Sequence, residues 1–300
     1  MVTTTTVNNF SYWGALFEMA KPRITLLLEI IAAATFLALG GFGPQGTGWW
    51  GLAKMLTAVG ILSVGIFTLN HWIERFSDRD MARTRERPLA AGRFPATPAL
   101  VWGLFMTGLG VIVSTVAINL TMGVVALLTA VGYLVVYTPL KYKTVFHTAL
   151  GALPGATPPL AGALAATGVL TGPAWLMFGL LVLWQFPHFL AIELIYKDDY
   201  GRGGVKVAPV VDSSGVWTNL QIVGATLGLL VLTGWLFPLG PLFALGLVLT
   251  LVFLAVGVRA VVTGTKRAAK TLFRTSLLYL PLYFVLLILQ FQIVKEAWHG

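Results

Sequence analysis

Three side chains with oxygen ligands recur at intervals of four residues, at Asn70, Glu74 and Asp78. On a continuous helix this spacing places all three on one face. Carboxylate and amide oxygens are the ligands that Mg²⁺ prefers, and the ion typically takes one or two carboxylates together with substrate phosphates. The spacing therefore predicts a magnesium site in which these three residues are both the metal ligands and the catalytic residues.

Arginines follow the same spacing around this site, at Arg79, Arg83 and Arg87. A guanidinium group binds phosphate oxygens through paired hydrogen bonds. The metal ligands and the arginines together predict a site for a diphosphate. The alternative is a solvated loop in which acids and bases pair and the arginines only fix membrane topology. The composition of this segment leaves both interpretations open.

The rest of the chain has little charge, since 57% of the 300 residues are hydrophobic and only 10% are charged. Soluble globular proteins carry about 25% charged residues. This composition predicts an integral membrane protein that contacts lipid, and it excludes a disordered chain or an ordinary soluble enzyme. A disulfide scaffold is excluded because the chain has no cysteine. We attribute the net charge of +9 to topology and lipid, and expect no nucleic-acid partner.

Apolar windows bounded by charged residues, Gly and Pro predict about nine transmembrane helices. The windows are 24–42, 51–70, 97–118, 120–138, 147–167, 173–195, 217–236, 240–262 and 273–294. We expect an all-α polytopic bundle around a cytoplasm-facing cavity. It forms a single domain over 1–300, with a polar cytoplasmic N-terminal arm at 1–20. The fifth window is the weakest, because several prolines interrupt it.

The basic residues give the orientation of this bundle. Of 20 Lys and Arg residues, 18 fall in the N-terminal arm or in and beside the loops after the second, fourth, sixth and eighth windows. The positive-inside rule predicts a cytoplasmic N-terminus and an outside C-terminus, in the plasma (inner) membrane of a prokaryote. Most acidic residues lie in or beside the loops after the second and sixth windows. The polar chemistry is therefore expected on one face of the membrane.

The order of residues from Asn70 onward resembles a signature of the heme O synthase (protoheme IX farnesyltransferase) family, which belongs to the UbiA-type intramembrane prenyltransferases. The signature reads Asn-x3-Asp/Glu-x3-Asp-x2-Met-x-Arg-Thr-x2-Arg-Pro-Leu. The matching residues are Asn70, Glu74, Asp78, Met81, Arg83, Thr84, Arg87, Pro88 and Leu89. A second stretch, Trp184-Gln185-x-Pro187-His188-Phe189 followed by Lys197-Asp198-Asp199-Tyr200, resembles another signature of the same family.

This resemblance implies a magnesium-dependent prenyltransferase. Such an enzyme transfers the farnesyl group of farnesyl diphosphate to a vinyl group of heme B, with addition of water, and releases heme O and diphosphate. The product serves heme A and heme O biosynthesis for terminal oxidases. Downstream heme A synthase or oxidase assembly factors are therefore candidate partners.

The resemblance also implies roles for particular residues. Heme binding is implied for His188, Trp184 and Gln185; diphosphate binding for Lys141 and Lys197 beside the three arginines; and a second acidic site for Glu193, Asp198 and Asp199. This second site has fewer aspartates at helical spacing than the motif of the wider superfamily. Lys143 is interpreted as a topology anchor.

Two other functions remain open from the residues alone. A sibling prenyltransferase acting on a quinone or chlorophyll precursor would share the first motif, but should show a fuller second aspartate motif. A secondary transporter is suggested by the interrupted fifth window and by a weak four-helix repeat. It predicts coupling residues near the bilayer midplane, and Glu29 is the single acid in its favour.

Overall fold

The computed structural model describes residues 12–299, and their side chains up to residue 293. Within these residues the chain forms helices and no strand. The helices are α1 (Tyr12–Met19), α2 (Pro22–Ala38), α3 (Gly48–Glu74), α4 (Ala96–Ala117), α5 (Leu120–Val131), α6 (Thr138–Leu140), α7 (His147–Gly155), α8 (Pro158–Thr167), α9 (Gly172–Ile195), α10 (Lys197–Arg202), α11 (Ala208–Val211), α12 (Val216–Leu236), α13 (Pro241–Thr263) and α14 (Lys266–His299). A 3₁₀ turn (Ser77–Asp80) follows α3, and a π-helix (Gly132–Tyr137) joins α5 to α6.

The predicted all-α polytopic fold is confirmed, but the count of nine membrane-spanning helices is not. Within the described residues, seven helical segments are long and apolar enough to cross a membrane. The first window forms α2, which has only 17 residues. The fifth window forms two short helices, α7 and α8. The chain breaks there because Pro158 opens α8 and has no backbone N–H to continue the hydrogen bonding of α7.

The N-terminal arm predicted at 1–20 is described only in part. Residues 1–11 lie outside the described residues, and Tyr12–Met19 forms α1. Ala15 and Met19 of α1 are buried in a small cluster with Phe94. The helix is therefore docked on the protein along one side.

Helix α2 packs against both halves of the bundle. It contacts α3 and α8 as well as α14. On α2, Ile31 belongs to the buried cluster shared with α9 and α12–α14, whereas Phe36 belongs to the one shared with α3 and α8. A Cβ atom on Gly162 of α8 would lie 2.2 Å from the carbonyl oxygen of Ala32. Small residues permit this close approach of helices within a membrane.

Helices α12, α13 and α14 pack with α9 around buried aromatic residues. The hydroxyls of Tyr283 and Thr233 are 2.8 Å apart, and those of Tyr279 and Thr250 are 3.1 Å apart. The two threonine hydroxyls are themselves 3.3 Å apart. We call these four residues the hydroxyl network. Each of its hydroxyls has a partner, so the network links three helices without leaving a buried polar group unpaired.

Apolar side chains also cover the outer faces of the helices. Val101, Phe105 and Ile112 of α4 are each more than half exposed. Water-soluble proteins rarely expose apolar patches of this extent, whereas lipid tails solvate them. The apolar surface, the composition and the seven long helices therefore all indicate an integral membrane protein.

The entry to α2 has an unusual backbone. Lys21 has φ 47° and ψ 60°, the left-handed conformation, and is followed directly by Pro22. Among the described residues it is the only one other than glycine with a positive φ. This conformation costs an L-residue roughly 1–2 kcal/mol, and a following proline favours extended backbone instead. The turn directs the Lys21 side chain toward the end of α3.

The loops that follow α3, α6 and α9 lie together at one end of the bundle. The backbone N–H of Ala82 donates to Asp199 Oδ1 at 3.3 Å. The N–H of Lys206 donates to the carbonyl oxygen of Lys141 at 2.8 Å. The prediction that the two acid-rich loops share one face is therefore confirmed.

Candidate active site

Asn70 and Glu74 lie on the last turn of α3, and both are buried. Their side chains meet, because Asn70 Nδ2 donates to Glu74 Oε1 at 2.5 Å. This contact agrees with their predicted position on one helical face. The two residues thus bring an amide and a carboxylate together at the end of a membrane-spanning helix.

Asp78 reaches the same place by a different route. The prediction that α3 continues through Asp78 is wrong, because the helix ends at Glu74. Ser77 Oγ donates to the Glu74 carbonyl oxygen at 3.1 Å and takes the acceptor that a continuing helix would offer to the Asp78 N–H. Asp78 lies on the 3₁₀ turn and is 1% exposed.

Arg87 joins the two carboxylates. Its Nη1 lies 2.8 Å from Asp78 Oδ2 and 3.4 Å from Glu74 Oε2. Lys141, directly after α6, forms an ion pair with the other carboxylate oxygen of Glu74, Oε1. Burial opposes the charge on Lys141, but the Glu74 carboxylate outweighs it and holds the pKa of the lysine above its usual value. Two of the basic residues predicted for the diphosphate therefore contact the predicted metal ligands directly.

Lys21 completes the group, although its role was not predicted. Its Nζ donates to Asn70 Oδ1 at 2.8 Å and lies 5.0 Å from the centre of the Phe67 ring. Burial and the neighbouring Arg87 lower the pKa of Lys21 to about 7. An anion bound beside this lysine would favour its charged form. The sequence signal for this residue is the run Lys21-Pro22-Arg23 at the entry to the first window, which also resembles the heme O synthase family but assigns no contact to the lysine.

We call Lys21, Asn70, Glu74, Asp78, Arg87 and Lys141 the charged cluster. It holds three cationic and two anionic side chains, a net charge of +1 (3 − 2) when all are ionised. Charge is expensive inside a membrane protein and is normally paired. The surplus positive charge therefore suits an anionic ligand.

Three other basic residues predicted for the diphosphate lie outside the charged cluster. Arg79, Arg83 and Lys197 are all exposed. Arg79 Nε donates to the Ala90 carbonyl oxygen at 3.1 Å, and Arg83 lies over the ring of Tyr200. Because α3 ends at Glu74, the four-residue spacing of the arginines no longer places them on one face. Their contacts with a diphosphate stay predictions.

The residues of the predicted second acidic site have separate partners. Glu193 is buried on α9 and accepts a hydrogen bond of 2.9 Å from Thr148 Oγ1. Asp199 pairs with Arg202, whereas Asp198 is exposed. In the described part of the chain, no three His, Asp or Glu side chains are grouped so that they could hold a metal ion. A shared cation site for these three residues stays a prediction.

A cavity of about 290 Å³ lies within the bundle between α2, α3, α5, the α7–α8 break and α9. Its wall is largely apolar and includes the aromatic rings of Phe67, Tyr133 and Phe189. Lys21 of the charged cluster lies against Phe67, so the cluster is next to the cavity. The helices therefore surround a cavity, as predicted, and its opening toward the cytoplasm stays a prediction.

The residues predicted to bind heme line this cavity together on α9. Trp184 and His188 stack with ring centres 4.6 Å apart. Gln185 Nε2 donates to the Ala152 carbonyl oxygen at 3.0 Å. Ser276 of α14 contacts two of the three residues, which the sequence did not predict. Its Oγ lies 2.8 Å from His188 Nδ1, and its carbonyl oxygen accepts from Trp184 Nε1 at 2.9 Å.

An intramembrane prenyltransferase is expected to have a buried charged site for a diphosphate beside an apolar cavity for the prenyl chain. The charged cluster and the cavity have this arrangement. The model of the UbiA prenyltransferase family matches residues 27–287. The chain belongs to the UbiA prenyltransferase family. The expected family and enzyme class are therefore confirmed.

Named relatives indicate which kind of UbiA prenyltransferase the chain is most like in sequence. The chain is 38% identical over 286 residues to the protoheme IX farnesyltransferase of Solibacter usitatus, covering 91% of this chain and 97% of the relative. It is 41% identical over 245 residues to the protein of that name from Sorangium cellulosum, covering 79% and 86%.

Solved structures share the fold at low sequence identity. A UbiA homologue from Archaeoglobus fulgidus bound to GPP and Mg²⁺ has a TM-score of 0.67 at 15% identity, covering 91% of this chain and 99% of that one. A digeranylgeranylglyceryl phosphate synthase has a TM-score of 0.74 at 14% identity, covering 93% and 98%. At about 15% identity, this similarity shows a shared fold.

Proposed function

We propose that the protein transfers the farnesyl group of farnesyl diphosphate to a vinyl group of heme B, with addition of water, and so produces heme O and diphosphate. The observation that carries this proposal is the position of the charged cluster beside a largely apolar cavity. One end of the substrate is an anion and the other a long hydrocarbon. The named relatives support the choice of heme as the acceptor.

The charged cluster would bind the diphosphate and stabilise it as it leaves. Negative charge grows on the diphosphate oxygens as the bond to the farnesyl C1 breaks, and fixed cations at that point lower the barrier. Arg87 and Lys141 are held in place by ion pairs with Asp78 and Glu74. The amine of Lys21, at the start of α2, gives a third donor.

The donor set of the cluster fits a magnesium ion. Asn70, Glu74 and Asp78 offer one amide and two carboxylate groups, which are hard oxygen ligands and leave further positions for water and phosphate. When bound, the ion would neutralise charge on the diphosphate. The two carboxylates pair with Arg87 and Lys141, so the groups that would hold the ion and those that would hold the diphosphate lie side by side. A second magnesium ion is not part of the proposal.

The cavity would exclude water from the reacting carbon. Loss of diphosphate leaves an allylic cation, which water would quench before the vinyl carbon attacks. Aromatic faces stabilise such a cation. Phe67 lies against Lys21 in the cavity wall, and the Tyr133 ring is next to it with ring centres 6.1 Å apart. Attack by the vinyl carbon moves the cation to the adjoining heme carbon. Addition of water there, with loss of one proton, gives the hydroxyl group of the product.

His188, Trp184 and Gln185 would bind the heme, because all three line the cavity on α9. The membrane orientation proposed from the basic residues places the charged cluster on the cytoplasmic face of a prokaryotic plasma membrane, with the C-terminus outside. Heme A synthase or oxidase assembly factors would take up the product. Because the chain has no cysteine, single introduced cysteines can report that orientation through labelling from either side.

A product assay tests the proposal. Purified protein is incubated with heme B, farnesyl diphosphate and Mg²⁺, and the products are identified by mass spectrometry. We expect heme O, and its loss on chelation of the metal. A parallel assay supplies an aromatic quinone precursor in place of heme. A prenylated quinone precursor without heme O would replace the proposal with the sibling prenyltransferase.

The variant Asp78→Ala links this activity to the charged cluster. It removes a metal ligand and leaves Arg87 without its closest partner, so we expect activity to fall by at least about 10²-fold. Asp80→Ala is the matched control, because Asp80 lies on the same 3₁₀ turn but is exposed. Turnover unaffected by Asp78→Ala in a folded protein would contradict the assignment of the site.

A further inference from the structure

The contact between α9 and α14 fixes the orientation of the His188 ring. The ring lies between Trp184, with centres 4.6 Å apart, and Phe273, with centres 5.2 Å apart. Trp184 is itself held by a hydrogen bond from its Nε1 to the Ser276 carbonyl oxygen. Rotation of the imidazole is therefore restricted by rings on both helices.

The hydrogen bonds of Ser276 also fix the position of the His188 proton. Ser276 Oγ lies 2.6 Å from the Phe273 carbonyl oxygen, which only accepts, so the single hydroxyl proton is donated there. Ser276 Oγ must then accept from His188 Nδ1, 2.8 Å away. In a neutral imidazole with the proton on Nδ1, the other nitrogen carries a lone pair and no proton.

That other nitrogen, Nε2, is free to meet a ligand. It has no hydrogen-bond partner among the residues that the structure describes, and it keeps some accessible surface. His188 lines the cavity, where the surroundings are largely apolar. An unprotonated imidazole nitrogen in such a place is a strong ligand for a transition metal such as iron.

We propose that Ser276 is a positioning residue, which holds the proton of His188 on Nδ1 so that Nε2 presents its lone pair to the iron of bound heme. The heme in this proposal rests on the proposed function, whereas the position of the proton does not. Histidines that bind metals commonly donate their second N–H to a fixed acceptor, which sets the tautomer and orients the ring. Here a serine on the last helix is that acceptor.

Nuclear magnetic resonance of protein labelled with ¹⁵N-histidine tests the position of the proton without heme. The spectra are recorded above the ordinary pKa of histidine, and the His188 signals are assigned by their loss in His188→Gln. We expect the proton on Nδ1 in the unaltered protein, and a larger fraction on Nε2 in Ser276→Ala. A proton on Nε2 in the unaltered protein would overturn the proposal, even if Ser276→Ala fails to fold.

Titration with heme B then tests the ligand. We expect an absorption and electron paramagnetic resonance signature of imidazole-ligated iron that is lost in His188→Gln. Removal of an outer partner of a metal ligand typically weakens metal binding by about 10–100-fold, which is the loss expected for Ser276→Ala. Thr250→Val is the matched control, because it removes a buried hydroxyl bond to α14 away from the cavity. It should leave the signature and the affinity unchanged.

The outcomes separate this proposal from the proposed function. Heme O production with an iron signature that is the same in Ser276→Ala and the unaltered protein would overturn the positioning role alone. Imidazole-ligated heme that is lost as expected, but without transfer of a farnesyl group, would support the positioning role and contradict the proposed function. Failure of the unaltered protein to bind heme would overturn both.

Discussion

The charged cluster and the hydroxyl network bury polar groups inside the same bundle in opposite ways. The network uses neutral hydroxyls on α12, α13 and α14, and each hydroxyl has a partner. The cluster gathers five ionisable side chains, with one more cation than anion, beside a cavity. Neutral hydrogen bonds are sufficient to hold helices together in a membrane. Charges are therefore concentrated where a charged ligand has to be bound.

The largest effect is expected from breaking the charged cluster at Lys141. Lys141→Met leaves Glu74 without its lysine partner, and loss of one member of a buried ion pair costs about 3–5 kcal/mol. We expect kcat/KM for heme O formation to fall at least about 10²-fold, together with a lower melting temperature. Lys143→Met is the matched control, because Lys143 is exposed. Equal effects of the two substitutions would contradict the assignment of Lys141 to the charged cluster and of Lys143 to a topology anchor.

Close packing beside the cavity gives the next prediction. Gly162→Ala places a methyl group against the backbone of α2, and overpacking typically costs 1–3 kcal/mol. We expect a lower melting temperature. Gly224→Ala on α12 is the matched control, because a Cβ atom there would meet no atom within 4 Å. That substitution should stabilise the helix slightly. If Gly162→Ala is as stable as Gly224→Ala, α2 and α8 are not in close contact.

The hydroxyl network should affect stability and not chemistry. Thr233→Val removes the hydrogen bond to Tyr283, and such bonds between membrane helices contribute about 0.6–1.7 kcal/mol. We expect a small loss of thermal stability and unchanged kcat per folded protein. Thr57→Val, which removes an exposed hydroxyl bonded only within α3, is the control. A fall in kcat with Thr233→Val would mean that the two regions are coupled.

The smallest effect is expected at the exposed edge of the site. Arg83→Ala removes a guanidinium group that lies over Tyr200 and outside the charged cluster. Exposed ionic contacts contribute about 0.2–1 kcal/mol, so KM for farnesyl diphosphate should rise less than about fivefold with kcat unchanged. Arg85→Ala serves as the exposed control. A loss as large as that of Lys141→Met would extend the cluster to this arginine.

Much of the fold follows from one-dimensional patterns. Hydropathy locates each of the helical windows because lipid requires long apolar helices. It does not give the short length of α2 or the separation of α7 from α8, since those depend on how the helix ends pack. The spacing of Asn70 and Glu74 correctly predicts a shared face. It fails at Asp78, because Ser77 ends the helix through a local hydrogen bond that periodicity does not contain.

Contacts between distant elements are what the sequence leaves out. Lys21 reaches Asn70 across 49 residues, and His188 reaches Ser276 across 88. Ser276 stands in no pattern that distinguishes it from a packing residue, and the run Lys21-Pro22-Arg23 does not say which helix the lysine meets. Their roles depend on which helices become neighbours, and this is set by the packing of whole helix faces.

The left-handed backbone at Lys21 makes this position a conflict between fold stability and ligand binding. A glycine there would adopt φ 47° without strain, which would offset part of the stability lost with the hydrogen bond to the buried Asn70. The same change would remove an amine from the charged cluster. The strain can therefore be relieved only by a change that also weakens the binding of the anionic substrate. A stabilised version of this enzyme should be sought at other positions.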